Sequence, residues 1–322
     1  MKGRNNYVNL KKLMARNKKI YHRNDARPAL ANLKLPSRRI LWLTLAQQEK
    51  DASGMVVFDP NRLYVITAKE YATLCDIDES VAYKQLKEGI KDIRSYLMEV
   101  PESEFLSEEE MEGKAKDRTL LFTVANHSVY SDGEGYIELK LDPIIAPYIS
   151  NLKSKFTGQF LLSALRLPDT NANRIYLLLR EWVSSGMSLY KDITVEDLKK
   201  KLMVESVKYY DDFKKFKQSF WVRSINKVIE TTEFTKIEMD IVERRKRKAY
   251  MLRISFEYEG QMQDLKDSGF MLGVEKKTKK KPNVETIVKN SSKDKSEAMK
   301  QIAGRFHTKE SAEASGYNWD DY

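Results

Sequence analysis

The sequence holds one cysteine, Cys75, in 322 residues, which excludes an internal disulfide and a cysteine-built zinc site and suits a reducing compartment. Its three histidines, His22, His127 and His307, stand far apart, so no paired-histidine metal motif is spelled out. The 13 glycines are scattered, and no G-x-x-x-x-G-K-[ST] run offers a phosphate-cradling loop. No apolar stretch reaches the roughly 18 residues that would span a bilayer. The N-terminal stretch is basic, with no apolar segment of the signal-peptide kind. The 17 tyrosines offer nucleophiles by number only. These absences lead us to expect a soluble cytoplasmic protein that is not an enzyme, with no cofactor, no metal and no membrane partner.

What is present in excess is positive charge. Lysine and arginine total 57 against 47 acidic residues, a formal net charge of +10. That balance points to a polyanionic partner. With 41% hydrophobic residues the chain can bury cores, and its length suggests about two domains. Residues 1–34 carry ten basic side chains against Asp25 alone and read as a loosely ordered basic arm that tracks phosphates. Residues 99–112 are acidic without a basic residue and read as a solvated loop. Beyond Gly260 hydrophobicity falls, and the lysine-rich run 276–281 opens an expected mobile tail over 261–322, ending in YNWDDY.

Between these flanks one order of elements occurs twice. A helix over 37–46 buries Ile40, Leu41, Leu43 and Leu45, and β-like runs follow at 56–58 and 63–66. Thr67 caps a helix with Ala68, Tyr71, Leu74 and Cys75 inward. After a turn at 76–79, a second helix over 80–98 buries Ala82, Leu86, Ile90, Ile93 and Leu97. Lys84, Lys87, Lys91 and Arg94 run along its other side. Two β-like runs, 119–124 and 136–141, close the unit around a turn at Ser131, Asp132 and Gly133. The helix over 172–182 then mirrors 37–46, 193–203 mirrors 66–75, and 208–232 takes the place of 80–98. Runs at 237–242 and 250–258 follow, hinged on ERRKRK at 243–248. The expected fold is α+β, mainly α: two tandem winged-helix domains, helix-turn-helix plus β-hairpin wing, related by pseudo-two-fold duplication. The expected boundaries are an arm over 1–34, domains over 35–150 and 151–260, and the tail.

The helix over 208–232 carries the chemistry. At about 100° per residue, Phe213, Phe216, Phe220, Ser224 and Val228 share one flank, with Trp221 at its border. Lys215, Gln218, Ser219, Val222, Arg223 and Asn226 take the opposite flank, and Asp211 or Asp212 caps the start. Such a face can present hydrogen-bonding groups to base edges in a major groove; a solvated surface helix is the alternative for any single helix. Lys215, Gln218 and Arg223 are the expected base readers, and Lys214 and Lys217, nearer the packed side, are expected to reach phosphates. In the first unit Ser80, Lys84, Lys87 and Lys91 are the expected contacts. At the second wing they are Arg244, Arg245, Arg247 and Lys248.

Several stretches resemble the iteron-binding replication initiators of theta-replicating plasmids. They are HRND at 22–25, LPSRRI at 35–40, AYKQLKEG at 82–89, EGYIELKL at 134–141, PYIS at 147–150 and KFTGQFLLSALRL at 155–167. The helix from Phe216 and the wing pair Arg247-Lys248 extend the likeness over about residues 20–260. The resemblance implies a bacterial protein that grips tandem origin repeats as duplex DNA, the second domain reading bases and the first adding contacts. It also implies opening of an adjacent AT-rich segment and recruitment of the host initiator and helicase. A dimer joined through the first domain would bind an inverted-repeat operator and repress the protein's own gene. The alternatives are a winged-helix transcriptional repressor without initiator activity and, last, a nicking enzyme.

Overall fold

Local caps start the helices where the apolar spacing puts them. In the computed structural model, the Glu70 backbone N–H donates to Thr67 Oγ1 at 3.1 Å and the Thr67 N–H donates to the Glu70 carboxylate at 3.1 Å, a reciprocal capping box. Asp169 and Thr194 cap their helices in the simpler way, accepting from the N–H groups of Ala172 and Asp197. The structure describes residues 10–260 apart from 53, 105–111, 114, 116–117, 131–132, 153–154 and 187–189. The expected tail, the start of the arm, half of the acidic segment and two residues of the first turn therefore lie outside the described residues.

The first half contains α1 (Leu10–Leu13), β1 (Lys19–Arg23), α2 (Arg27–Asn32), α3 (Leu35–Ala46), β2 (Glu49–Lys50), β3 (Val56–Val57) and β4 (Tyr64–Thr67). It continues through α4 (Ala68–Cys75), α5 (Glu79–Ser95), β5 (Leu97–Pro101), β6 (Thr119–Thr123), β7 (Ala125–Tyr130), β8 (Tyr136–Leu141) and α6 (Ala146–Ile149). The second half contains β9 (Phe156–Phe160), α7 (Leu161–Arg166), α8 (Thr170–Ser184), β10 (Tyr190–Thr194) and α9 (Val195–Lys201). A long helix α10 over 213–231 follows, then the hairpin β11 (Phe234–Arg245) and β12 (Lys248–Tyr258). Each half builds a three-stranded antiparallel sheet, ordered β4-β8-β7 and β10-β12-β11. In both, the strand that leads into the helix pair hydrogen-bonds to the last strand of the hairpin. The fold is α+β with this winged-helix topology used twice.

Three expectations are corrected. Residues 10–34 are not a loose arm: Leu13, Ile20, Leu30 and Leu33 are buried, and β1 pairs with β9 from Lys19↔Phe160 to Arg23↔Phe156. Ile20 and His22 alternate with Lys19, Tyr21 and Arg23 and point inward, which a charge count overlooks. The first wing is not the pairing of 119–124 with 136–141. β6 instead pairs with β5, and the polar run of β7 is the partner of β8. Finally, Leu97 and Met98 do not extend α5. Burial over 97–100 alternates with period two, Met98 and Val100 inward, so strand pairing with β6 wins over one more helical turn.

The halves are sewn together by arginines, Arg27 and Arg39 buried and Arg174 half-buried. Arg39 Nε donates to the Leu165 carbonyl at 2.7 Å, and Arg27 Nη1 donates to that of Lys201 at 2.7 Å. Arg174 Nη2 reaches Asn32 Oδ1 at 3.1 Å. All described residues belong to one compact unit.

The helix α5 is set by its crossing with α3. Gly89 lies so close to α3 that a Cβ there would fall 2.7 Å from Ile40 Cδ1, 2.9 Å from the Pro36 carbonyl carbon and 3.0 Å from Ser37 N. Ser37 Oγ also donates to the Asp92 carboxylate at 2.7 Å, pinning the same crossing. Gly89→Ala should therefore destabilise by about 1–3 kcal/mol, the usual cost of overpacking, although alanine alone would favour a helix by about 1 kcal/mol. A urea unfolding midpoint measures it, and an unchanged or raised midpoint would show that the crossing yields.

Candidate nucleic-acid interface

The long helix starts later than the pattern suggests. Residues 208–211 form a 3-10 turn, and Asp212 Oδ1 accepts from the Lys214 N–H at 2.8 Å to open α10. Phe216–Val222 is wound with i→i+5 hydrogen bonds, and the α-helix resumes at Arg223–Thr231. A strict α-helix lets a spine spaced 216, 220, 224, 228 drift around its axis. The wider turn takes up that drift, and Phe216, Phe220, Trp221, Ser224, Ile225 and Val228 are all buried. Phe216 and Phe220 stack at 5.5 Å between ring centroids, with Tyr210 edge-on to both at 6.1 and 5.7 Å.

Aromatic packing on one side leaves Lys214, Lys215, Gln218, Arg223 and Asn226 exposed on the other. Ser219 is half-buried, 3.5 Å from the Tyr209 hydroxyl. Tyr209, which the apolar pattern missed, is 53% exposed and lies under the Lys215 ammonium, 5.0 Å from ring centroid to Nζ. Its only signal in the sequence is an aromatic pair just ahead of the capping aspartate. Lys217 turns the other way: its Nζ donates to the Met239 carbonyl of β11 at 3.3 Å, so it braces the helix against the wing sheet. Lys227 is likewise engaged, paired with Asp169 at the start of α8.

The second wing projects its basic run. Arg245 and Lys248 are cross-strand partners, and the two residues between them, Lys246 and Arg247, have positive φ of 47° and 66°. Such a tight turn normally takes Gly or Asn, so side chains of this length there cost about 1 kcal/mol each. Arg245 is held by Glu243 at 2.7 Å and lies over the Tyr250 ring. Arg244, Lys246, Arg247 and Lys248 are exposed and form no ion pair among the described residues.

In the first half, Ser80, Lys84 and Lys91 are exposed on α5, while Lys87 is half-buried with its ammonium 5.0 Å from the Tyr130 ring centroid. The Tyr130 hydroxyl donates to the Tyr83 hydroxyl at 2.7 Å, and the Gly133 N–H donates to the same oxygen at 2.8 Å. Tyr83 thus latches this wing to α5, a role no periodicity reveals. Arg94, expected along the basic side, bonds instead to the carbonyls of Ala125 and Asn126.

Elsewhere the titratable groups are packed. Burial pushes the Cys75 thiol up to about 12, which matches its reading as a small core residue. His22 is buried against Trp42 and pushed down to about 4 by desolvation, so it is neutral. Among the described residues no group of three or more His, Cys, Asp or Glu could hold a metal ion. Among them, too, no helix is long and apolar enough to cross a membrane.

Comparison with known proteins agrees with this geometry. The family described as "Initiator Replication protein, WH1" matches residues 19–180. The PI protein of Escherichia coli is 31% identical over 273 residues, covering 77% of this chain and 86% of that protein. A solved structure, the Pi initiator protein in complex with iteron DNA, superposes with a TM-score of 0.66 at 28% identity, covering 76% of this chain and 99% of that one. With a family match over half its length and a relative at this identity, the chain belongs to the replication initiator protein family.

Proposed function

We propose that this protein initiates plasmid replication by binding tandem origin repeats as duplex DNA. The helix α10 enters the major groove as the main reader, α5 adds contacts from the first unit, and the wings grip phosphates. The observation that carries this is the outward face of α10. Gln218, Arg223 and Asn226 are exposed on a helix whose opposite face is locked by five aromatic rings, counting Tyr210 and Phe213, beside a basic wing tip. The likeness to an initiator whose structure holds iteron DNA supports the same partner. In this reading residues 35–150 and 151–260 divide accessory contact and dimerisation from main recognition. The dimer binds an inverted-repeat operator, the monomer opens the origin, and the host initiator and helicase are recruited there without any catalytic step by this chain.

The test is titration of the protein with a tandem-repeat duplex and a scrambled one at several salt concentrations. A clear preference for the repeat is expected, together with a steep loss of affinity as salt rises. Equal binding to both would end the reading, and repeat binding without opening of adjacent AT-rich DNA would leave a repressor. In the same assay, Arg247→Ala with Lys248→Ala should weaken binding to both duplexes and reduce the salt slope by about two units, leaving the melting temperature unchanged. An unaltered slope would remove the second wing from the interface.

A further inference from the structure

Exposed single apolar residues are common on protein surfaces, but their placement on the two groove-facing helices is not scattered. Each of α5 and α10 has one large apolar side chain exposed, and both are valine: Val81, 40% exposed, and Val222, 39% exposed. Valine is β-branched and a weaker helix former than the lysine, glutamine or alanine that suit an exposed helical site. Neither side chain is buried against a neighbour that would repay that choice. Val222 stands one turn after Gln218 and one turn before Asn226, in a row of amide, branched hydrocarbon and amide. Val81 follows the exposed Ser80 and precedes the exposed Lys84 by one turn, in the first turn of its helix.

The major groove carries one apolar marker among its donors and acceptors, the C5-methyl group of thymine. Glutamine and asparagine fit the N6 and N7 edge of adenine, the base opposite thymine. We propose that Val222 and Val81 are specificity-determining residues that each cover a thymine methyl group, so that the Gln218–Val222–Asn226 row reads an A·T step from both strands. This rests on the DNA-reading role proposed above for α10 and α5. It assigns to hydrocarbon contact a part of the specificity that hydrogen-bonding residues alone would not supply.

The experiment uses the full chain and a duplex enriched by the wild-type protein from a random-sequence pool. Each thymine is replaced in turn by deoxyuridine, which removes the methyl group and leaves every hydrogen-bonding edge in place. Wild type should lose about fourfold in affinity at the thymine beneath Val222, the equivalent of one buried methyl group. Val222→Ala should bind the parent duplex more weakly and show no further loss at that thymine, with wild-type losses at all others. Val81→Ala should do the same at a different thymine. Both variants should melt with the wild type, since alanine suits an exposed helical position. If every deoxyuridine penalty is the same in Val222→Ala as in wild type, the methyl contact is overturned. DNA recognition by α10 would then still stand on the preference for the selected duplex. A wild-type protein that does not distinguish the selected duplex from a scrambled one would overturn the DNA reading, and the valine contacts with it.

Discussion

Glu233→Ala should lower the free energy of unfolding by about 3–5 kcal/mol, the range for removing one partner of a buried ion pair. Glu233 lies between the end of α10 and the start of β11, with a side chain 8% exposed. It faces Arg180 Nη1 at 3.4 Å, and Arg180 is itself buried, with Nε donating to the Gly158 carbonyl at 2.8 Å. The hydroxyls of Ser163 and Tyr176 donate to the same carboxylate at 2.7 and 3.2 Å. Alanine would leave a buried guanidinium without its counter-charge, and the buried Tyr176 and half-buried Ser163 hydroxyls without this acceptor. Glu233→Gln keeps the shape and an acceptor but not the charge, so it should fall between wild type and alanine. Chemical denaturation measures both. A loss below about 1 kcal/mol for alanine, the scale of an exposed pair, would mean that water reaches this site. The consequence reaches function, because Glu233 ties the end of α10 to α7 and α8 and so fixes where its outer face points.

The elements that the sequence discloses are those decided by near neighbours. Thr67 with Glu70, and Thr194 with Asp197, mark helix starts because a cap is satisfied within one turn. The apolar spine of α10 and its exposed polar flank follow from periodicity alone, and so does the wing's basic tip between two β-like runs. What stayed hidden depends on distant partners. Nothing in Lys19–Arg23 announces that it will pair with Phe156–Phe160, because each run is half polar and the bond is made across most of the first unit. The polar strand β7 is invisible to an apolar pattern, since its alternation is completed by β8 and by Tyr83. Lys217 illustrates the same limit within the site. Its position on the helix was legible, but its engagement by the Met239 carbonyl is set by where β11 packs. Phosphate contact by Lys217 would require that bond to open, which favours Lys214 and Lys215 as the cations available to DNA.

Arg223→Ala is expected to cost about 1–3 kcal/mol of discrimination at one base pair, roughly five- to 150-fold, while changing the order of preference little elsewhere. Arg223 is exposed where the i→i+5 segment hands over to the α-helix, and no ion pair holds it among the described residues. Its guanidinium is therefore free to make the bidentate contact that guanine O6 and N7 offer in the major groove. Lys214 provides the contrast. It is exposed beside the cap, and as a point charge it should bind a phosphate, so Lys214→Ala should weaken all sequences alike and lower the salt slope by about one unit. Helix stability should not confuse the comparison, since both side chains point away from the Phe216, Phe220 and Val228 core. The measurement is the affinity of each variant for a panel of single-base substitutions of the repeat. A profile for Arg223→Ala parallel to wild type at every position would show that this arginine grips the backbone. The base reading would then have to come from the amide row of Gln218 and Asn226, where Gln218→Ala would have to show the position-specific loss instead.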